Sequence, residues 1–507
     1  MAKRIDTSTV SNEALTQKDV DTFRDALRGI YAEIPLNKIY LNSRSEMRFS
    51  YKGADGKIYE RSLDPMVSSV IASALVPKAC VLYRGGHGGG KTSMVEAVSS
   101  RLFSDVPRDD IVAGMIRGND DQNVNTMLAS FNLGKLLTTG EEEVRWRKFV
   151  TCPVKLIDEI NRFPPTSQNG LFELINIGRA EYAGQVYPIH DFSLFATENP
   201  NDVGTYPMSR PFLDRFGLCI PAPQLPSAED LMALSGRMDD KIYQFAAPRK
   251  QMTMKETEKF EKWVADNVKL TNDALLFSIY LALSSETCAR ADFNGKSHCE
   301  LGLEERCKGC EHDTATSLCK YTKDGFSGRA FLELQRWGKA YSFLLNAFEK
   351  PEQPEVQMSM IESIAPYVLY HRVEPNDAIF TKDPFWGRKL VYIQDMVKKA
   401  REGFASVREP LSQLPQILAG KLPYDQSKLA QVKKDLVVTT HFQPVAEAAG
   451  TSDFRAIYNG IEEMPNIGQD EMIELEKTLT FGTDINPRAR AFLRSKAEAK
   501  MGGAQTV

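Results

Sequence analysis

No stretch of roughly 18 uncharged apolar residues, the length a helix needs to cross a bilayer, occurs anywhere in the 507-residue chain. The opening Met1-Ala2-Lys3-Arg4-Ile5-Asp6-Thr7 also lacks the apolar segment of a secretory signal. No membrane association is expected, and a cytoplasmic location is. A long basic run is missing too, and the net charge is −4, which weighs against nucleic acid as the principal partner. Cysteine is sparse outside one cluster: Cys80, Cys152, Cys219 and Cys288 sit in apolar contexts and read as buried small residues rather than disulfide partners. No internal repeat is evident. With 42% hydrophobic and 26% charged residues, the chain is neither disordered nor highly charged, and its length suits about two to four domains.

Glycine, by contrast, is concentrated. Gly85-Gly86-His87-Gly88-Gly89-Gly90-Lys91-Thr92 follows the apolar run Ala79-Cys80-Val81-Leu82-Tyr83 and leads into the helical pattern that starts near Thr92-Ser93-Met94. The G-x4-G-K-T spacing between a buried strand and a helix is that of a phosphate-binding loop. Glycine lets backbone N–H groups approach phosphate oxygens. The lysine supplies an ammonium for the outer phosphates and the threonine a hydroxyl for Mg2+. Gly85, Gly86, His87, Gly88, Gly89, Gly90, Lys91, Thr92 and Ser93 are the expected contacts to ATP.

Residues 1–63 are mixed and polar, with one helix expected around Gln17 to Ala32. From 64 to 246 apolar strands alternate with helices, the pattern of an α/β core with a parallel sheet covered on both faces; strands are expected at Ile111 to Ile116, Val154 to Ile157 and Phe192 to Ala196. Residues 247–374 show helical periodicity at Glu256 to Val268, Thr271 to Ser285, Arg329 to Phe348 and Val356 to Tyr370. Residues 375–507 read as a further, mainly helical region.

Val154-Lys155-Leu156-Ile157-Asp158-Glu159 delivers two carboxylates at the end of a strand, where ligands bind in open α/β sheets. Asp158 suits Mg2+ and Glu159 a general base for an attacking water. Phe192-Ser193-Leu194-Phe195-Ala196-Thr197-Glu198-Asn199 repeats the arrangement and offers Asn199 to the γ-phosphate. An Asp-Glu strand end or an Asn-Pro turn is common in isolation; their order after a strong phosphate loop is what carries the reading.

Asp158-Glu159-Ile160-Asn161-Arg162-Phe163-Pro164-Pro165, Ala196-Thr197-Glu198-Asn199-Pro200, Gly204-Thr205-Tyr206-Pro207 and Leu213-Asp214-Arg215-Phe216 resemble the successive signatures of MoxR-family AAA+ ATPases. The resemblance continues through Ser327-Gly328-Arg329-Ala330 and Val368-Leu369-Tyr370-His371-Arg372, covering roughly residues 65 to 373. It implies a P-loop AAA+ sheet with an α-helical lid and a homo-oligomeric, usually hexameric ring with ATP at subunit interfaces. By similarity, Lys91 and Thr92 belong to Walker A, Asp158 and Glu159 to Walker B and Asn199 to sensor 1. Arg329 matches sensor 2 and Arg215 the arginine finger given to a neighbour, with Arg162 and Arg210 as rivals for that role. A guanidinium suits it because its charge is permanent and its donors are fixed; an intramolecular salt bridge of Arg215 with Asp214 or another carboxylate is the alternative. The segment Phe131 to Arg147 resembles the family's inserted element, and Tyr182 to Tyr187 reads as a hairpin; both are candidates for gripping a protein client.

Cys299-x7-Cys307-x2-Cys310-x8-Cys319, within an insertion at 296–322, lies outside the family's basic pattern. Four thiolates suit tetrahedral Zn2+, and the glycine-rich, charged segment between them has little to bury without a metal. An iron–sulfur cluster or unligated cysteines are the alternatives, and His298 or His312 can replace a thiolate. The expected activity is ATP hydrolysis coupled to remodelling or activating a protein complex, through a client such as a separate von Willebrand A domain protein. A DNA motor and a nucleotide-gated scaffold are the competing readings, the second disfavoured by Glu159, Asn199 and Arg215 occurring together.

Overall fold

The computed structural model describes residues 15–36, 46–53, 55–86, 90–119, 123, 127–189, 191–200, 202–222, 228, 232, 252–285, 318–323, 325–348, 354–418, 443–483 and 485–501. The expected zinc ligands Cys299, Cys307 and Cys310, the loop residues His87, Gly88 and Gly89, and the boundary expected at residue 246 lie outside the described residues. The chain forms two compact units. Met1–Ala274, Ser327–Val373 and Arg388–Ile393 make the first; Leu275–Phe326, Glu374–Gly387 and Gln394–Val507 make the second.

The first unit is organised by a five-stranded parallel sheet in the order β5-β1-β4-β3-β2. Here β1 is Ala79–Arg84, β2 Met115–Arg117, β3 Val154–Asp158, β4 Ser193–Glu198 and β5 Leu218–Pro221. The α/β class expected from alternation is the one observed. β4 is buried along its whole length and β1 up to its last residue, as strands covered on both faces must be. Lys155 interrupts the apolar run of β3 and is nonetheless fully buried. Its ammonium donates to the carbonyls of Phe149, Val150 and Cys152 at 2.7, 2.9 and 2.9 Å, satisfying the end of the short helix Lys148–Thr151.

One expected strand divides. Arg108–Ala113 is helical and β2 is confined to Met115–Arg117. Pro107 precedes this helix, and Asp109 and Asp110 occupy its first turn, where carboxylates favour the exposed amides. The apolar residues are thus shared between a helix that buries Ile111 and a strand that buries Ile116.

Helix α1 (Gln17–Leu36) belongs to this unit, because Phe23 packs against Phe260 and Phe343 with ring centroids 5.0 and 5.4 Å away. Helix α2 (Pro65–Ser73) is buried on every side. Its serine hydroxyls find partners within the core, Ser68 with Tyr341 at 3.2 Å and Ser69 with Tyr83 at 3.0 Å, which meets the cost of burying hydroxyls. Helix α3 (Lys91–Leu102) follows the phosphate loop. Beyond it come α4 (Met254–Asn267), α5 (Gly328–Phe348) and α6 (Met358–Leu369), at the positions the helical periodicity predicts.

In the second unit, the helices Gln443–Ala448, Ser452–Glu463, Gln469–Lys477 and Pro487–Met501 close on a core that includes Phe454, Leu479, Leu493 and Ala497. Cys319, the described member of the cysteine cluster, is buried in a short 3-10 turn, Leu318–Lys320. Among the described residues no helix is long and apolar enough to cross a membrane.

The Asp64 carboxylate accepts from the backbone N–H groups of Met66 and Val67, both at 2.9 Å, and so caps α2. Asp64→Ala is expected to cost about 1–2 kcal/mol, read as a lower denaturant midpoint at unchanged slope.

Candidate nucleotide site

Because all five strands are parallel, their C-terminal ends lie on one edge, and the loops leaving β1, β3 and β4 meet there. They enclose a pocket of about 250 Å3 lined by Gly85, Gly90, Lys91, Thr92, Ser93, Asp158, Glu159, Thr197, Glu198 and Asn199. Three segments of the sequence thus bring together Lys91, Thr92, Asp158, Glu159 and Asn199.

Glycine is required at two described points of the first loop. A Cβ on Gly85 would stand 2.7 Å from the carbonyl oxygen of Ala222. Gly90 adopts a left-handed φ of 69° as the cap of α3, a conformation other residues rarely accept. The N-terminus of α3 therefore opens into the pocket with its unpaired amides, an arrangement suited to phosphate. The Lys91 ammonium donates to the carbonyls of Gly85, at 3.2 Å, and Gly86. Burial holds this ammonium below the usual lysine range, against the opposing pull of Asp158 and Glu159.

The carboxylate side is organised by Thr197, on the strand beside β3. Its hydroxyl donates to Asp158 Oδ1 at 2.7 Å and accepts from the Glu159 backbone N–H at 2.9 Å. Thr92 Oγ1 lies 3.5 Å from the same Asp158 oxygen, so a hydroxyl and a carboxylate face each other at a spacing that one octahedral Mg2+ can gather. Glu159 has a left-handed φ of 53°, unusual for a residue with a side chain. Gly118 lies directly against it: its N–H donates to Asp158 O at 2.7 Å, and a Cβ there would fall 2.0 Å from the Glu159 carbonyl oxygen.

Asn161 Nδ2 donates to the Asn199 carbonyl at 2.9 Å, tying the loop after β3 to the loop after β4. Arg162, a sequence candidate for reaching a neighbour, is engaged in its own site instead. Its Nε lies 3.1 Å from Glu159 Oε2 and 3.1 Å from Asp202 Oδ2. In the pocket wall, Glu198 pairs with Arg84 at 3.4 Å; burial raises the Glu198 carboxyl above its ordinary range, with Arg84 and Lys389 opposing.

Arg215 and Arg329 are not among the residues lining this pocket. They belong to the other edge of the sheet. Gly217 N donates to Cys80 O at 2.8 Å, at the start of β1, on the order of 15 Å along the strand from the phosphate loop. Asp214 anchors this edge by accepting from Ser327 Oγ at 2.7 Å and Arg372 Nε at 2.8 Å. The Asp214 carboxylate, the expected alternative partner of Arg215, thus holds the buried Arg372. Arg329 follows Ser327 by two residues, so Arg215 and Arg329 flank one anchor.

Thr197, Gly118 and the Arg162 to Asp202 pairing were not among the expected site features. A strand threonine and a lone glycine carry no local signature, and each acquires its role only when β2, β3 and β4 are set side by side.

Residues 80–218 match the model of the ATPase family associated with various cellular activities (AAA). The uncharacterized protein YeaC of Bacillus subtilis (strain 168) is 31% identical over 150 residues, which take in 28% of this chain and 42% of that relative's length. The fold is also similar to a crystal structure from Cytophaga hutchinsonii ATCC 33406 described as that of a candidate ATPase. The TM-score is 0.54 at 18% identity, over 75% of this chain and 96% of that one. A parallel sheet of this order and a phosphate loop with paired carboxylates agree with the family match: residues 80–218 are similar to the ATPase domain of the AAA family.

Proposed function

We propose that the chain is a MoxR-like AAA+ ATPase that hydrolyses Mg-ATP at the subunit interfaces of a hexameric ring and uses the cycle to remodel or activate a partner protein complex. The observation that carries the hydrolytic reading is the convergence of Lys91, Thr92, Asp158, Glu159 and Asn199 on one pocket. The loop amides and Lys91 hold the phosphates, and Thr92 and Asp158 hold Mg2+. Mg2+ held there would supply positive charge against the phosphates. Glu159 takes a proton from the attacking water, the bond from the γ-phosphorus to the bridging oxygen breaks, and ADP and inorganic phosphate leave. Asn199 orients that water.

The ring reading is supported by the separation of the two edges. Arg215 and Arg329 lie at the end of β1 remote from the phosphate loop, and in this reading they serve a neighbour's nucleotide rather than their own. The client reading is supported by two elements that pack on each other through aromatic rings. The inserted pair Ala129–Phe131 and Val144–Trp146 meets the hairpin Arg179–Tyr182 and Gln185–Pro188 through Phe131 with Tyr182 at 5.4 Å and Trp146 with Tyr187 at 5.5 Å. Ala183 and Gly184 both have positive φ at the hairpin turn, as a tight two-residue turn requires. Leu133, Leu137 and Val186 are exposed on these elements, offering apolar contacts to a protein client, in our reading a separate von Willebrand A domain protein or the complex it recruits. Zn2+ on Cys299, Cys307, Cys310 and Cys319 completes the proposal as a structural ion, supported by the spacing of the thiols.

Glu159→Gln is expected to lower turnover by about 100-fold or more while leaving nucleotide affinity within a few-fold. Native mass spectrometry of that variant with Mg-ATP should show a six-subunit assembly carrying one zinc per chain; metal-free monomers would sink both the ring and the zinc. Gly118→Ala should displace the Glu159 backbone and reduce kcat about tenfold or more, with a smaller change in ATP binding by fluorescence titration. Lys91→Ala and Arg215→Ala, each inactive alone, are expected to recover phosphate release when co-assembled, because one supplies the finger and the other the pocket. No recovery at any mixing ratio would exclude a shared site.

A further inference from the structure

The Arg162 guanidinium stands between two carboxylates. One is Glu159, with Nε to Oε2 at 3.1 Å; the other is Asp202, approached by Nε at 3.1 Å and also by Nη2. Asp202 is itself fixed. Its Oδ1 accepts from Val203 N at 2.9 Å, and its backbone N–H donates to Asn199 O at 3.4 Å. Gly118 leaves the room for Arg162 on the other side, since a Cβ there would fall 2.9 Å from the Arg162 Cβ. The side chain of the base, the loop that carries Asn199 and the edge strand β2 therefore meet at one cation.

We propose that Arg162 is a positioning residue that restrains Glu159, and that Asp202 sets the strength of the restraint by competing for the same guanidinium. The inference rests on the assignment of Glu159 as the base of ATP hydrolysis. A carboxylate oxygen that accepts from a guanidinium directs its lone pairs at that cation, and a base needs them directed at water. One cation shared by two carboxylates has two arrangements of similar energy, since both pairs are partly exposed and exposed pairs are individually weak. Arg162 drawn toward Asp202 releases Glu159; Arg162 drawn toward Glu159 restrains it. Because Asp202 hangs from the Asn199 loop, a displacement of Asn199 moves the competitor with it and is transmitted to Glu159 through Arg162.

The test is steady-state ATP turnover of the full-length protein as wild type, Arg162→Ala, Asp202→Asn and the double variant, with Glu159→Gln as the inactive reference. Arg162→Ala is expected to raise kcat about threefold, with KM for ATP unchanged, and Asp202→Asn to lower kcat by a similar factor. The double variant should match Arg162→Ala, because Asp202 acts only through the guanidinium. Arg162→Gln, which keeps length and polarity without the charge, should match it as well and guards against a folding defect in the alanine variant. A fall in kcat in both Arg162 variants, or an Asp202→Asn effect of equal size with and without Arg162, would overturn the inference. Wild-type protein with no turnover above the Glu159→Gln reference would instead overturn the assignment of Glu159 on which it rests.

Discussion

The hydroxyl of Thr197 bridges β3 and β4 at the ends that line the pocket. By donating to Asp158 and accepting from the Glu159 N–H, it uses both of its hydrogen-bonding capacities within one dipeptide. Asp158 is thereby left in line with β3 and facing Thr92, while the chain turns abruptly at Glu159 through a left-handed φ. Two consecutive carboxylates thus face different partners, Asp158 toward Thr92 and Glu159 toward Arg162. The turn is possible only because Gly118 leaves room for the Glu159 carbonyl. Everything proposed for the pocket follows from this local division of labour.

The remote edge of the sheet follows a different principle. Its anchor is a buried cation, Arg372, whose guanidinium donates to Asp214 Oδ1 and to the carbonyls of Asp214, Phe216 and Gly217. A guanidinium suits this place because its donors fan out in a plane and can satisfy several acceptors at once. His371 beside it donates from Nε2 to the Phe216 carbonyl at 2.8 Å, and burial drives its imidazole well below the usual histidine range. The segment from Asp214 to Gly217 is consequently held by its backbone, which leaves the Arg215 side chain to be specified separately.

Local features of the chain were legible in sequence, and relational ones were not. The phosphate loop, the Asp158-Glu159 strand end and the helices of the later region each leave a mark within a dozen residues: a glycine spacing, an apolar run, a 3.6-residue period. Ile111 to Ile116 misleads because one apolar run serves two elements, and Pro107 with Asp109 and Asp110 decides the split only as helix-start chemistry. Thr197 and Gly118 are ordinary in their own surroundings and acquire meaning only from the order of the strands. Arg162 reads in sequence as a rival for the outward finger, and its internal partner emerges only when Asp202 is placed beside it.

The strand order has a consequence for how the molecule comes into being. β1 emerges first, yet its two neighbours are β4 and β5, which are synthesised more than a hundred residues later, as the pairings Ser193 with Ala79 and Leu218 with Val81 require. Contacts of such long sequence separation demand a large loss of chain entropy before any pairing repays it, and they fold slowly. On a ribosome, the glycine loop is therefore made long before the sheet that shapes it. A nascent chain has no complete pocket until β4 and the Asn199 that follows it have left the exit tunnel.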